Sequence, residues 1–173
     1  MQRIEIANLY KNLPQDGQAV TLCGWAKTIR DSKKIGFIEL TDGSCFKSLQ
    51  VVFQADKLEN YTEIAKAGTY TSLEVKGRIV LTPQAKQPFE VNADEITILG
   101  SCPSDYPLQK KRHSVEFLRT MPHLRPRTNT FSAAFRVRSA AAYAIHRFFQ
   151  EQGFVYVHTP IFTGSDCEGA GEM

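Results

Sequence analysis

Three side chains near the start of the chain have chemistry that suits an unpaired nucleobase: Arg30, Phe37 and Gln50. Phe37 stands in an alternating run beside Ile38, which places the two residues on opposite faces of a strand. Its ring could stack on a base, a contact worth about 1–3 kcal/mol, although residue type alone favours core packing for an aromatic in a strand. The Gln50 amide both donates and accepts along a base edge. The planar Arg30 guanidinium suits stacking or phosphate contact, but residue type alone fits an ordinary surface arginine equally well.

Positive charge is the second feature that fits a nucleic acid. Lys33 and Lys34 lie in the polar turn after Arg30, where they could contact phosphate. Residues 1–99 carry twelve Lys/Arg and twelve Asp/Glu, residues 100–138 carry eight and two, and residues 139–173 carry one and four. The basic excess therefore lies in one segment, as expected for a polyanion-binding surface or for a solvated face.

A small sheet is predicted to hold the candidate base-binding residues. Runs of β-branched and aromatic residues between turn residues predict five strands, with one helix after the third. The strands are predicted at 20–30, 35–40, 48–53, 71–81 and 90–99, with helices at 4–12 and 57–66. This element order is that of an OB-fold, a partly open barrel whose second and third strands bind oligonucleotides, although five short strands also suit an SH3-like barrel.

The remaining sequence predicts a different kind of structure from the barrel of residues 1–101. Residues 102–130 contain four of the eight prolines and most of the excess positive charge, which is typical of a hinge. In residues 131–173, apolar side chains at helical spacing predict a helix from Phe131 to Phe149, and Phe154–His158 predicts a strand. One helix and one strand cannot bury their own apolar faces, so we expect this second domain to be incomplete.

Composition favours a globular protein without a bound metal. Hydrophobic residues make up 42% of the chain and charged residues 23%. There is neither a run of about 18 apolar residues nor an apolar run at the start of the chain, so we expect a cytoplasmic protein that does not cross a membrane. Cys23, Cys45, Cys102 and Cys167 form no CxxC pair, so we expect reduced cysteines rather than a zinc site or disulfides.

Longer segments resemble a known family. Residues 24–44, followed by Leu49-Gln50, resemble the anticodon-binding OB-fold that aspartyl-, asparaginyl- and lysyl-tRNA synthetases share. Residues 123–131 and 164–172 resemble the asparaginyl branch, and residues 153–160 are similar to class II motif 1. The resemblance covers essentially the whole chain. It implies an all-β five-stranded OB-fold barrel with one interposed helix, followed by the first helix and strand of an incomplete class II α+β catalytic domain.

The resemblance assigns roles to four residues of the barrel. It implies that Phe37 stacks on the middle base of the anticodon, a uridine, and that Gln50 reads the same base. Arg30 is placed beside the anticodon. Glu90, entering the fifth strand, matches a further position that contacts the anticodon in related enzymes.

Two roles outside the barrel also follow from the resemblance. In related enzymes, the loop that contains Glu168 closes over the amino acid, and its glutamate meets the substrate ammonium group. On residue type alone, Glu168 is a solvated loop acid. Pro160 belongs to motif 1, which implies a place in a homodimer interface.

The implied parent enzyme is an asparagine–tRNA ligase that uses ATP and Mg²⁺ to activate asparagine and esterify tRNA(Asn), which carries a GUU-type anticodon. Nothing in the 173 residues corresponds to motifs 2 and 3, which hold ATP and magnesium in the family. We therefore expect the chain itself to bind tRNA without a cofactor and to be catalytically inactive. Two alternatives remain: an aspartyl-tRNA synthetase, against which residues 125–131 argue, and a stand-alone OB-fold nucleic-acid-binding module.

Overall fold

A computed structural model of the chain describes residues 2–162. The chain divides into two compact units between Arg125 and Pro126. The elements in chain order are α1 (Ile6–Lys11), β1 (Ala19–Asp31), β2 (Ile35–Thr41), β3 (Leu49–Gln54), α2 (Tyr61–Ala65), β4 (Ser72–Leu81), β5 (Phe89–Gly100), α3 (Val115–Arg119), a 3₁₀ turn (Arg125–Arg127) and α4 (Asn129–Glu151).

The five strands form a closed barrel in the order β1-β2-β3-β5-β4, with β4 pairing back to β1. Every pairing is antiparallel except that of β3 with β5, which is parallel. A parallel pair needs a long crossover, and here the segment containing α2 and β4 provides it. The OB-fold barrel and its interposed helix are thus confirmed.

Alternating residues of all five strands fill the barrel with apolar side chains. The buried residues of the strands and of α2 include Leu22, Ile38, Val51, Phe53, Tyr61, Ile64, Val75 and Phe89. Gly36 permits the central packing, because a Cβ atom at that position would lie 2.1 Å from Cζ of Phe53. Each buried aromatic or aliphatic side chain contributes about 1.5–3 kcal/mol of transfer free energy.

Helix α1 is anchored to the loop between β2 and β3. The backbone N–H of Ile6 donates to Oδ2 of Asp42 at 2.8 Å, and the N–H of Ala7 donates to Oγ of Ser44 at 3.0 Å. These bonds satisfy backbone N–H groups that have no partner within the first turn of a helix. The negative charge of Asp42 also interacts favourably with the positive end of the helix dipole. The turn that joins β2 to β3 therefore also fixes the start of the chain.

The helix predicted at residues 57–66 is shorter in the structure and begins at Tyr61. The backbone N–H groups of Lys57 and Leu58 both donate to the carbonyl of Gln54, the last residue of β3, at 3.3 and 3.1 Å. They therefore continue a turn out of the strand before the helix can start.

The segment between the barrel and α4 contains only short helical elements, as its prolines predict. Ser114 caps α3 by accepting the N–H of Phe117 at 3.2 Å. Leu108, Leu118 and Met121 of this segment are buried, so its first part packs within the first unit. The domain boundaries predicted at residues 101 and 130 remain predictions.

In the second unit, the predicted long helix is confirmed, and none of the 23 residues of α4 is buried. The strand predicted at Phe154–His158 is not formed, and these residues have no regular secondary structure. A strand needs a hydrogen-bonded neighbour, and residues 2–162 offer this segment none. Over the same described range, no helix is long and apolar enough to cross a membrane.

Candidate nucleic-acid interface

Phe37 is displayed on the outside of the barrel. Its side chain is 36% exposed, whereas its neighbour Ile38 is fully buried, as the alternation along β2 predicts. In the sheet register, Phe37 lies opposite Arg30 of β1 and Val52 of β3. Directly opposed residues of antiparallel strands point to the same face. Phe37 therefore shares the outer face with Arg30 on one neighbouring strand and with Val52 on the other.

Gln50 and Glu90 meet on this same outer face. The parallel pairing of Val51 with Val91 brings the preceding residues of β3 and β5 side by side. Nε2 of Gln50 donates to Oε2 of Glu90 at 2.9 Å, although the two residues are 40 positions apart in the chain. Both side chains are half-buried, so the contact is partly shielded from water.

The carboxylate of Glu90 determines which way the Gln50 amide points. An ionised carboxylate only accepts hydrogen bonds, so the amide must turn its NH₂ group toward Glu90. The carbonyl oxygen and the second N–H of the amide then remain available to a ligand, and the positions of this acceptor and this donor cannot be exchanged. An amide held in this way can distinguish base edges that differ in where they donate and accept.

The cationic residues of the site lie at the end of β1 and in the loop that follows. Arg30, Lys33 and Lys34 are exposed, as predicted for residues that contact phosphate. Three carboxylates lie nearby. Asp31 ends β1, Glu39 lies opposite Gln50 in the register of β2 with β3, and Glu90 accepts the hydrogen bond from Gln50. The local charge is therefore nearly balanced, which favours reading of base edges over uniform attraction of phosphates.

The structure brings Arg30, Phe37, Gln50 and Glu90 together across β1, β2, β3 and β5. An aromatic ring, an oriented amide and a guanidinium on one exposed barrel face are the groups used to bind an unpaired base in single-stranded RNA. Sequence reasoning missed Glu39, which shares this face two residues after Phe37. The period of two along β2 was the signal that could have found it.

Two further candidate residues lie away from this face. Pro160 is exposed in the irregular segment after α4, in the second unit. Glu168 lies outside the described residues. Among residues 2–162, no group of three or more His, Cys, Asp and Glu is arranged to hold a metal ion. Cys23 and Cys45 are free thiols.

Two family models match the chain. The "OB-fold nucleic acid binding domain" matches residues 20–99, and "tRNA synthetases class II (D, K and N)" matches residues 114–173. Except for the two terminal residues Ala19 and Gly100, the first range contains the five strands, and it includes Arg30, Phe37, Gln50 and Glu90. The second contains α3, α4 and the segment after them.

Curated relatives match the chain over its entire length. It is 60% identical over 174 aligned residues to an asparagine–tRNA ligase of Desulfitobacterium hafniense and 59% identical to one of Bacillus cereus. Each alignment covers 100% of this chain and 37% of the relative. The chain thus spans little more than a third of the length of the curated relatives it matches.

Solved structures agree on the fold. Asparaginyl-tRNA synthetase from Pyrococcus horikoshii, complexed with asparaginyl-adenylate, superposes with a TM-score of 0.81 at 24% identity. That superposition covers 93% of this chain and 37% of the other. Aspartyl-tRNA synthetase from Entamoeba histolytica gives a TM-score of 0.73 at 18% identity over 92% of this chain and 39% of the other. At these identities, the likeness concerns the fold alone.

Proposed function

Since the chain belongs to the asparaginyl-tRNA synthetase family, within the class II synthetases for aspartate, asparagine and lysine, we propose that its barrel binds the anticodon of tRNA(Asn). The outer face carries this proposal, because it gathers Phe37, Gln50, Glu90 and Arg30 on strands that lie apart in the sequence. Membership of the family supports tRNA(Asn) as the RNA that binds. The arrangement of the four side chains supports this face as the place where a base binds.

The proposed mechanism separates affinity from specificity. The ring of Phe37 stacks on the middle base of the anticodon, and any base provides a face for that contact. The Gln50 amide, oriented by Glu90, meets the donor and acceptor groups on the edge of that base and favours uridine. Arg30 stacks or contacts phosphate beside the base, and Lys33 and Lys34 contact the RNA backbone.

The proposal extends to the full-length protein. There, asparagine is activated with ATP and Mg²⁺ and transferred to tRNA(Asn) in the cytoplasm. Glu168 binds the ammonium group of asparagine, and Pro160 takes part in a homodimer interface. The curated relatives support this extension, since this chain is about 60% identical to them.

A photo-crosslink tests where the middle base binds. An anticodon stem-loop with 4-thiouridine at the middle position is irradiated with the 173-residue chain, and the modified peptide is identified by mass spectrometry. We expect the crosslink in β2 or β3, at or next to Phe37 or Gln50. A crosslink confined to β4 or α4 would place the RNA on another surface and contradict the proposal.

A further inference from the structure

The loop between β1 and β2 holds Lys33 in a backbone conformation that lysine seldom adopts. The φ angle of Lys33 is 72°, in the left-handed region that favours glycine. The backbone N–H of Lys33 donates to Oδ1 of Asp31 at 2.8 Å. An aspartate that accepts from the residue two positions later forms a local turn, which stabilises such a conformation. The Asp31 carboxylate therefore helps to fix the position of the Lys33 backbone.

A core residue fixes that carboxylate. The ring of Tyr61, from α2, packs against Phe53 with ring centroids 5.0 Å apart, and Tyr61 is only 8% exposed. Its hydroxyl donates to the same Oδ1 atom of Asp31 that accepts the Lys33 amide. Burial, together with this hydrogen bond, raises the pKa of Tyr61 to about 12.

The rest of the loop is also held by hydrogen bonds. Oγ of Ser32 donates to the carbonyl of Ile35 at 2.7 Å, and the carbonyl of Lys34 accepts the N–H of Ala55 at 2.9 Å. The ammonium groups of Lys33 and Lys34, in contrast, have no side-chain partner within residues 2–162. The backbone is fixed while both charges remain available to a ligand.

We propose that Tyr61 and Asp31 are positioning residues that pre-organise the β1–β2 loop, so that Lys33 and Lys34 meet RNA phosphates beside the base-reading face. This inference rests on the proposed anticodon function and extends it into the core. Arg30 directly precedes Asp31 at the end of β1 and pairs with Phe37, so the loop continues the face on which the base is proposed to be read. A loop ordered before binding loses less conformational entropy when the RNA binds.

The test uses Tyr61→Phe in the 173-residue chain, which removes the hydroxyl and keeps the ring. Binding of an anticodon stem-loop is measured over a range of salt concentrations. Each phosphate contact contributes about 0.7 to the slope of log K against log salt for single-stranded nucleic acid. We expect Tyr61→Phe to make the slope shallower by at least about 0.7, and the double variant Lys33→Ala/Lys34→Ala to make it shallower by about 1.4.

Two comparisons separate positioning from a loss of folding. Adding Tyr61→Phe to the double lysine variant should change the slope no further, because both act on the same contacts. The matched control is Tyr10→Phe, which removes another tyrosine hydrogen bond of this domain, from the hydroxyl to the carbonyl of Ser48 at 3.0 Å. We expect the control to keep the wild-type slope.

Hydrogen exchange provides a measurement that does not depend on RNA. The amide of Lys33 should exchange faster in Tyr61→Phe than in the wild type, while amides in the middle of β4 keep their protection. An unchanged Lys33 amide, or an unchanged salt slope in a variant that still binds RNA, would overturn the inference and leave the proposed function standing. A wild-type chain that binds no stem-loop would overturn the proposed function, and this inference with it.

Discussion

At the scale of single residues, the selectivity that we propose for the barrel face depends on the contact between Gln50 and Glu90. An unrestrained amide can rotate by half a turn and present its donor and acceptor in either order. A carboxylate at 2.9 Å from Nε2 removes that freedom, because it accepts from NH₂ and cannot donate to the carbonyl. We therefore expect Glu90 to contribute to specificity by orienting the Gln50 amide.

Replacing Glu90 by glutamine tests this role. A glutamine side chain both donates and accepts, so it satisfies either orientation of Gln50. We expect the preference for uridine over cytidine at the middle position to fall by about tenfold, the equivalent of one hydrogen-bond difference of roughly 1.4 kcal/mol. Affinity for the GUU stem-loop should change little.

Glu39→Gln is the matched control for this prediction. It removes an equal charge from the opposite side of Gln50, where β2 pairs with β3, but leaves the hydrogen bond to Glu90 in place. Stem-loop titrations of both variants provide the comparison. A similar loss of preference in the two variants would attribute selectivity to charge rather than to amide orientation.

At the scale of elements, sequence patterns predicted local features well. Alternation placed Phe37 outside and Ile38 inside because strand side chains follow a period of two. The contacts of Gln50 with Glu90 and of Tyr61 with Asp31 could not be predicted in the same way. They join residues 40 and 30 positions apart, through a parallel strand pair and a helix packing that no local pattern specifies.

The link between α2 and β1 also predicts a pH dependence. A tyrosine in an unfolded chain titrates near pH 10, whereas in the fold the pKa of Tyr61 is about 12. Between these values, the unfolded state has lost the proton and the folded state keeps it, so the contribution of Tyr61 to the free energy of unfolding falls as pH rises. Below about pH 10, this contribution is fully present.

Denaturant unfolding of the wild type and of Tyr61→Phe at several pH values from 9 to 12 measures this effect. The variant should be less stable than the wild type at pH 9, and the difference in free energy of unfolding should shrink as pH increases. Other titrating groups are common to both proteins and cancel in the difference. A difference that stays constant across this range would contradict the assigned pKa shift.

At the scale of the whole molecule, the two units differ in how completely they bury apolar groups. The barrel has its own core, whereas α4 has no buried residue. Val137, Tyr143, Ile145 and Phe148 of α4 are between 58% and 70% exposed. Apolar surface of this extent favours association in water.

We therefore expect light scattering to find dimers or larger species of the 173-residue chain. Ile145→Lys combined with Phe148→Lys should shift the population toward monomers, because each introduces a charge into the apolar surface. Ser139→Lys combined with Gln150→Lys, also on α4, adds the same two charges at exposed polar positions and serves as the control. A wild-type chain that is monomeric at every concentration would contradict this prediction.

We propose that the outer face of β1, β2, β3 and β5 reads a uridine in the middle of an anticodon. A titration of the 173-residue chain, and of its Phe37→Ala and Gln50→Ala variants, with GUU and GCU stem-loops tests this directly. The wild type should prefer GUU.

Phe37→Ala should weaken binding of both stem-loops by about 1–3 kcal/mol, because stacking accepts any base. Gln50→Ala should instead reduce the preference for GUU, since the amide is what distinguishes the two edges. Equal binding of GUU and GCU by the wild type, or unchanged affinity and preference in both variants, would contradict the claim.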